Sequence, residues 1–431
     1  MATTSSLGDI PIYRIDLGQS PELRYVKLAT DFAERMQAVA PLFDEVLECF
    51  LIPKHMIRLL KLVSRIALRK VFDDEQTREI KAIAKVAGID RYLVVALNVF
   101  LDLLLGCTSG AILTRPESAH TTKEHISDRL IHFRTLEWDM GSLRSLLVVL
   151  EFVDSRKAEP GRVIARSVTY AGFVGVLTGV RQNLSLSLNH RPVHDCNDSS
   201  LRRHQLLVVL GIRESISSVL RRALMSENDD DNMSATKDGR VPEKRPDRLS
   251  QIATKAKELA SRTTSPCYVT LCDGKDVAIV LKDLTDGKVK TSSYFMIQTN
   301  HDVEHGSCCS HKTKKPESSE LHVEYLGGDE WLAESQDRLG ALQSRWLGHV
   351  KAHSDDPSVT SLASGNGICL DSPQAQLNDR LTLSGISERR LLKWVRSPPT
   401  TNNLTHFSCL MDPHTGEIRG LTRGPDPSSI E

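Results

Sequence analysis

The sequence changes its pattern at Gly106-Cys107, and this change constrains the fold more than any other feature of the 431-residue chain. Before this point, residues 22 to about 105 place apolar side chains at helical spacing. The longest apolar run, residues 92–106, ends at the glycine. After it, short runs rich in β-branched and aromatic residues alternate with helical stretches. The pattern therefore predicts a helical N-terminal part followed by a mixed body of strands and helices.

The body that follows Cys107 has several predicted strands and two predicted helices. β-Branched and aromatic residues favour strands at residues 163–165, 172–178, 184–189, 268–271, 277–280 and 294–299. Helical spacing favours helices at residues 201–225 and 249–262. A hairpin is predicted from residues 406–411 and 417–420, which flank a turn containing proline and glycine. Helices first and mixed elements afterwards indicate a layered α+β body with an N-terminal helical cap.

The domain organisation predicted from these patterns has two parts. Residues 1–106 form a helical segment, and residues 107–431 form the α+β body. Polar segments near residues 226–247, 303–320 and 353–384 are predicted to be loop insertions that decorate the body rather than divide it.

One helix of the N-terminal segment, residues 52–72, has basic residues along one face and apolar residues along the other. This pattern is typical of a helix that lies on an anionic membrane surface. It is more typical of a surface helix that packs its apolar stripe on the core, which is the interpretation we favour. The sequence therefore leaves contact with a membrane surface as one of two interpretations.

Charge and composition limit the partners and the compartment. The 55 basic and 55 acidic residues balance, so the sequence offers no argument for binding nucleic acid. No apolar run is long enough to span a bilayer, and the first residues lack the pattern of a signal peptide. The nine cysteines show no framework spacing, which favours free thiols in a reducing compartment. We therefore expect a cytoplasmic protein.

Cys107 is the strongest candidate for a chemical role. Taken alone, a cysteine at the end of an apolar run is more often simply buried. Here Gly106 leaves the preceding carbonyl sterically open, and Arg134 and Glu137 lie on the next predicted strand. An arginine near a thiol favours the thiolate, and a carboxylate can orient an amine. Strand periodicity places residues 134 and 137 on opposite faces, so a local turn or bulge is expected to bring both to the thiol.

Other candidate sites are weaker. A histidine and cysteine cluster lies at residues 301–311, but it lacks a CxxC ligand spacing, so no metal site is predicted. The GxSxG motif of serine hydrolases does not occur. The glycine-rich stretch at residues 172–179 is not followed by the lysine of a phosphate-binding loop. We predict no cofactor.

Seven segments of the sequence, taken together and in order, resemble the acid ceramidase and N-acylethanolamine acid amidase family, which is related to bile-salt hydrolases and penicillin acylases. The resemblance spans most of the chain except the three polar segments. The matching residues are 10–17, 106–109, 130–137, 170–179, 185–191, 298–302 and 403–416.

The resemblance implies an N-terminal-nucleophile hydrolase with a four-layer αββα sandwich. It also implies autoproteolysis between Gly106 and Cys107, which would leave an α chain of residues 1–106 and a β chain of residues 107–431. Cys107 would then be the nucleophile, and its own α-amine would be the base. The family places an arginine and an acid at positions 134 and 137. It places an oxyanion donor at Asn300 and an arginine near the site at position 338, here Arg338.

The chain departs from the family at several positions. Residue 137 is Glu where relatives usually carry Asp, and the nearby Asp139 could replace it. Residue 190 is His where relatives often carry an acid. The family's secretory signal is not visible, so a lysosomal or secreted location is the alternative to the cytoplasm.

The resemblance implies an amide hydrolase that cleaves N-acylated lipids, such as ceramide or N-acylethanolamine, to a fatty acid and an amine. The α and β chains would remain associated after cleavage. One alternative is an amidase for a more polar N-acyl substrate of the bile-salt or penicillin type. Another is a catalytically inactive relative that binds lipid or a protein partner.

Overall fold

The computed structural model describes residues 6–7, 9–42, 62–100, 106–115, 128–226, 251–302, 329–353, 368–369 and 383–425. The predicted loop at residues 303–320 lies outside the described residues. Most of the predicted loops near residues 226–247 and 353–384 also lie outside them.

The N-terminal segment is helical only in part. It begins with strands β1 (Ser6–Leu7) and β2 (Ile10–Asp16). Helices follow at α1 (Pro21–Arg24), α2 (Val26–Ala38), α3 (Asp74–Ala87) and α4 (Arg91–Phe100). Because β2 pairs in parallel with a strand of the body, the segment contributes to the sheet as well as covering it. The stretch predicted to be helical, from residue 22, thus follows a strand that joins the larger sheet.

The larger sheet has ten strands in the order β1-β2-β5-β6-β7-β8-β9-β10-β11-β13. Antiparallel pairing connects neighbours from β5 to β13, and β2 joins β5 in parallel. Its strands in the body are β5 (Leu147–Val153), β6 (Ala165–Tyr170), β7 (Thr178–Arg181), β8 (Leu184–His190), β9 (Cys267–Cys272), β10 (Val277–Lys282), β11 (Gly287–Ser292) and β13 (Ile368–Cys369).

The smaller sheet has six strands and contains the change of pattern seen in the sequence. Its central path is β12-β3-β4-β15-β16, and β14 pairs in parallel with β3. The strands are β3 (Gly106–Arg115), β4 (Arg129–Glu137), β12 (Phe295–Gln298), β14 (Ile386–Ser387), β15 (Thr405–Asp412) and β16 (Glu417–Arg423).

Helices cover the outer faces of both sheets. On the larger sheet, α6 (Ile216–Met225) lies against β7 and β8, and α7 (Gln251–Ser261) lies against β10 and β11. On the smaller sheet, α8 (Asp329–Lys351) lies against β12, and α9 (Glu388–Val395) lies against β3 and β4. Helix α5 (Asp198–Val209) follows β8. The order of layers is helix, sheet, sheet, helix, so the predicted α+β fold with a four-layer αββα sandwich is confirmed.

The space between the sheets contains both an apolar cluster and a polar stripe. Ala111 and Leu130 of the small sheet pack against Tyr268 and Ile279 of the large sheet. Beside them, both ring nitrogens of His132 are within 2.9 Å of serine hydroxyls on β8. Burial lowers the pKa of His132 to about 3, so its imidazole is neutral at pH 7. The polar stripe continues along β4 towards Cys107.

Two buried contacts join the N-terminal segment to the body. Glu79 of α3 is fully buried and forms ion pairs with Arg24, at 3.0 Å, and with Arg221 of α6. Asn98 of α4 donates to Gly172 O and accepts from Val174 N, both at 2.8 Å. Because each polar group has a partner, the interface can bury charge without leaving it unsatisfied.

Several predicted elements differ in the structure. Residues 172–177 form an irregular connection rather than a strand, and Asn98 forms hydrogen bonds to the backbone of Gly172 and Val174 there. The predicted helix at residues 201–225 is two helices, α5 and α6, separated at Gly211, which has a φ of 65°. Helices α8 and α9 were not predicted.

The basic amphipathic helix is described only from residue 62. Residues 62–67 are helical, and their apolar side chains Leu62, Val63 and Ile66 are at least half exposed. Leu68 and Val71, which follow, are buried. Among the described helices, none is both long enough and apolar enough to cross a bilayer.

Candidate active site

Cys107 is the second residue of β3 and is fully buried. Its strand pairs with β4 so that Gly106 lies opposite Glu137 and Cys107 opposite Leu136. A Cβ at position 106 would lie 3.2 Å from Glu137 O, so a larger residue would press on that strand. The register therefore places the Gly106-Cys107 peptide at the end of the strand pair that carries the other predicted residues.

Arg134 faces the space between the sheets and points at the thiol. Its Nη2 donates to Cys107 Sγ at 3.0 Å, and its Nη1 donates to Asn189 Oδ1 at 3.0 Å. Asn189, on β8, also accepts a hydrogen bond from Ser109 Oγ at 3.0 Å. All four side chains are fully buried. The larger sheet thus fixes the guanidinium group beside the sulfur.

Asn300 lies on the other side of Cys107, just after β12. Its Oδ1 accepts from Cys107 N at 2.8 Å and from Arg338 Nη2 at 3.1 Å. Its Nδ2 donates to His190 O at 2.9 Å. These partners fix the orientation of the amide, because a carbonyl can only accept and the two nitrogens can only donate. The acceptor atom of Asn300 therefore faces the nucleophile, whereas an oxyanion role would require a donor there.

Glu137 pairs with Arg338 on the outer face of the small sheet. Its Oε1 accepts from Thr135 Oγ1, and its Oε2 lies 3.3 Å from Arg338 Nε. Arg338, on α8, also donates to Thr108 Oγ1 at 3.1 Å. The arginine thus joins the carboxylate, the start of β3 and Asn300.

The structure brings the five predicted residues together, but without the expected bulge. Strand β4 pairs regularly with β3, and Arg134 and Glu137 lie on opposite faces, as strand periodicity requires. The irregularity lies in β15, between Thr405 and Phe407. The expectation of a local turn or bulge in β4 is therefore wrong, and Glu137 is connected to the site through Arg338 instead. Asp139, the alternative acid, is exposed.

Burial and the nearby arginines shift the pKa values of the site in opposite directions. Burial raises the pKa of the Cys107 thiol to about 11, while the positive charges of Arg134 and Arg338 act to lower it. Burial likewise raises the pKa of Glu137, and Arg338 opposes this shift. The two arginines are therefore the groups that favour an ionised thiol and an ionised carboxylate in this buried place.

Tyr170 and His406 form a second buried pair near Cys107 that the sequence did not reveal. Tyr170 OH lies 2.7 Å from His406 Nδ1, and His406 Nε2 lies 3.0 Å from Trp138 O. A carbonyl can only accept, so Nε2 is the donor and Nδ1 accepts from the phenol. The pKa of Tyr170 is raised well above its usual value, by burial first and then by the charge of Cys107. The phenol oxygen therefore presents acceptor capacity near the nucleophile.

Asn189 and the Tyr170–His406 pair are the contacts that sequence reasoning missed. Both lie within motifs that carry the resemblance, at residues 170–179, 185–191 and 403–416. Their position in these motifs was the only sequence signal for them, and it does not show which side chains point towards Cys107.

The described residues contain no group of histidine, cysteine or acidic side chains arranged to hold a metal ion. His301, the described member of the predicted histidine and cysteine cluster, lies 2.9 Å from Ser335 Oγ through its Nδ1. The other cluster members, at residues 305–311, lie outside the described residues. The five described cysteines with placed side chains, including Cys107, are free thiols.

Comparison with known proteins agrees with these motifs. The family model for the beta subunit of N-acylethanolamine-hydrolyzing acid amidase matches residues 8–72, which lie within the segment called the α chain above. An uncharacterized protein of Acanthamoeba polyphaga mimivirus is 23% identical over 306 residues, covering 68% of this chain and 79% of the viral protein.

Acid ceramidases are also similar. The Homo sapiens protein is 27% identical over 199 residues, covering 43% of this chain and 46% of that protein. The chain therefore spans about half the length of these relatives. A solved structure of the Caenorhabditis elegans ortholog of N-acylethanolamine-hydrolyzing acid amidase has 16% identity and a TM-score of 0.43, covering 74% of this chain and 100% of that chain.

The family model falls on the N-terminal segment, and the acid ceramidase matches are independent sequence evidence of the same kinship. The chain is therefore similar in sequence to the acid ceramidase and N-acylethanolamine acid amidase family.

Proposed function

We propose that this chain is an autoprocessed cysteine amidase that hydrolyses the amide bond of N-acylated lipids, such as ceramide or N-acylethanolamine. The observation that carries the proposal is the pair of contacts on Cys107: Arg134 Nη2 at its sulfur and Asn300 Oδ1 at its nitrogen. These contacts prepare both atoms that the mechanism needs, the nucleophile and the base.

The first step is self-cleavage. The Cys107 thiol attacks the Gly106 carbonyl, and the acyl group moves from nitrogen to sulfur. Water then hydrolyses the thioester, which leaves a carboxylate on Gly106 and a free α-amine on Cys107. Asn300 already holds this nitrogen in the intact chain, at 2.8 Å. The amine is therefore positioned as soon as the bond breaks.

Amide hydrolysis follows the same chemistry in two stages. The α-amine, with an ordinary pKa near ~8, takes the thiol proton. The thiolate attacks the substrate carbonyl, and the leaving amine departs with that proton. Water then releases the fatty acid from the thioester. Splitting the reaction in this way lowers the barrier, because an amide is a poor electrophile with a poor leaving group.

Two groups are placed to stabilise charge during these stages. Arg134 is a buried cation beside the sulfur, and its Nε makes no hydrogen bond within the described part of the chain. We assign this Nε as a donor to the developing oxyanion. The oxyanion role expected for Asn300 stays a prediction, because its Nδ2 donates to His190 O in the intact chain.

The proposal is tested by incubating the purified protein with a panel of N-acyl amides and identifying the products by mass spectrometry. Release of fatty acid from ceramide or N-acylethanolamines, with none from Cys107→Ala, is the expected result. Preference for bile-salt or penicillin-type amides would favour the more polar alternative. Binding without product would favour an inactive relative.

The cytoplasmic location stays our proposal, with the lysosome as the alternative, and cell fractionation tests it.

A further inference from the structure

Close to the active site, the buried Arg191 forms an ion pair with Asp302, whose side chain is 40% exposed. Arg191 Nε donates to Asp302 Oδ1 at 3.0 Å, and Nη2 donates to Oδ2 at 2.6 Å. The arginine side chain is 5% exposed and also donates to Asp283 at 2.8 Å. Tyr268 OH donates to the same Asp302 carboxylate at 2.5 Å. A planar, bidentate pair of this kind fixes direction as well as distance.

The pair joins two pieces of chain that meet at Asn300. Arg191 directly follows His190, whose carbonyl accepts from Asn300 Nδ2. Asp302 lies two residues after Asn300, on the segment that leaves β12 at Gln298. Beyond β12, this segment has no ladder bonds to a neighbouring strand. The ion pair therefore connects the described chain on the C-terminal side of Asn300 to the residue that follows β8.

A second contact holds the N-terminal side of the same segment. Asn189 Nδ2 donates to Gln298 O at 2.9 Å and to Thr299 O at 3.3 Å. The consecutive residues Asn189, His190 and Arg191 thus bind the segment before, at and after Asn300.

We propose that Arg191 and Asp302 are positioning residues that hold Asn300 Oδ1 against the nitrogen of Cys107. This inference rests on the proposed function, because it gives a role to a contact on the proposed base. Neither residue touches the reacting atoms. Their effect passes through Asn300, whose amide must stay within hydrogen-bond reach of the amine.

The charges of the pair support this role. Burial acts to raise the pKa of Asp302, but the hydrogen bonds and charge of Arg191 outweigh it, so the pKa is lowered. The carboxylate is therefore ionised at neutral pH, and the pair keeps its charge-assisted geometry. Arg191 lies between two carboxylates, Asp283 and Asp302, so its removal would disturb both. Asp302 is consequently the better position for a test.

The test is a double-mutant cycle of Asp302→Asn and Asn300→Ala. Asp302→Asn keeps the shape of the side chain and removes its charge. We expect kcat to fall about 10- to 100-fold, as small misplacements near a reacting group do, with KM within about twofold. In the Asn300→Ala background the same change should have no further effect on kcat, because the residue it positions is gone.

The pH profile separates positioning from a general loss of stability. Asn300 Oδ1 accepts a hydrogen bond and so stabilises the protonated amine, which raises its pKa. Losing that bond should shift the acid limb of the kcat profile to lower pH. Both Asn300→Ala and Asp302→Asn should show this shift, and the double variant should show no larger one.

Asp412→Asn is the control, because Asp412 is also a carboxylate paired with an arginine, Arg129, and lies at the other end of β4. Its pH profile should stay unchanged.

If Asp302→Asn does not fold, Tyr268→Phe removes one bond to the same carboxylate and should lower kcat about two- to fivefold. Additive effects in the cycle, or an unshifted limb, overturn the inference while leaving the proposed function intact. A wild-type chain that neither cleaves itself nor hydrolyses N-acyl amides overturns both the inference and the proposed function.

Discussion

At the scale of single residues, the central question is how a fully buried thiol becomes a nucleophile. Burial raises the pKa of Cys107, and Arg134 is the cation that contacts its sulfur. Arg134 and Arg338 both favour the thiolate, but only Arg134 donates to the sulfur among the described contacts, and its guanidinium group is held by Asn189.

Replacing Arg134 by methionine should raise the thiol pKa further, because the change removes the charge that favours the thiolate. At a given pH below the thiol pKa, Cys107 should then be alkylated at least about tenfold more slowly, since one pKa unit corresponds to a tenfold change in ionised fraction. The measurement is the pH dependence of iodoacetamide labelling, read on the peptide that contains Cys107. Arg129→Met, at the far end of β4, is the control. Equal labelling curves for wild type and Arg134→Met would refute the role of Arg134.

Glu137 and Asp139 make a second prediction at this scale. Glu137 is buried against Arg338, whereas Asp139 is exposed. Glu137→Gln should lower the free energy of unfolding by about 3 kcal/mol, because it leaves a buried cation without its partner. It should also slow self-cleavage, because Arg338 donates to Asn300, and Asn300 accepts from the nitrogen of Cys107.

Asp139→Asn is the paired control and should be neutral, within about 0.5 kcal/mol, as surface changes usually are. Urea unfolding and the fraction cleaved are measured for both variants. If Glu137→Gln matches the wild type in stability and cleavage while Asp139→Asn is impaired in both, Asp139 rather than Glu137 is the acid of the site.

At the scale of elements, the connection between β6 and β7 depends on a side chain from the N-terminal segment. Asn98 supplies both a donor and an acceptor to Gly172 and Val174, where a strand had been predicted. This connection starts at Tyr170, so the helix α4 helps to order a residue near Cys107.

Asn98→Ala should lower the free energy of unfolding by about 1–3 kcal/mol, because it leaves buried backbone groups without partners. The measurement is urea unfolding in a Cys107→Ala background, which keeps the chain in one piece. Lys85→Ala, on the exposed face of α3, is the control. Equal midpoints for Asn98→Ala and its parent would show that the loop does not depend on Asn98.

Elements with strong local signals could be predicted from the sequence. Strands β8, β9 and β10 and the hairpin β15–β16 follow β-rich runs bounded by turn residues, and these predictions are confirmed. Helix α8 was not predicted, although it carries Arg338 and Ser335 of the site.

The five site residues could be named from motifs, but their geometry could not. The orientation of the Asn300 amide depends on His190 O and Arg338, which are far from it in sequence. The route from Glu137 to Cys107 depends on α8 lying over the outer face of the small sheet. These orientations are set by tertiary packing, which a local pattern of residues does not encode.

At the scale of the whole molecule, the N-terminal segment is built into the body. It contributes strand β2 to the larger sheet and Glu79 to a buried pair with Arg221. Cleavage after Gly106 would therefore produce two chains that share a sheet and a buried ion pair. We expect them to remain associated, because separation would expose an apolar surface and leave Arg221 without its partner Glu79.

Self-cleavage is the claim on which the whole account depends, and intact mass with N-terminal sequencing tests it most directly. Wild-type protein should yield two chains, residues 1–106 and 107–431, and the longer one should begin Cys-Thr-Ser-Gly. Cys107→Ala should yield one intact chain, because it lacks the thiol that attacks the Gly106 carbonyl. A wild-type chain that stays whole, or a Cys107→Ala chain that is still cut at this bond, would contradict the account.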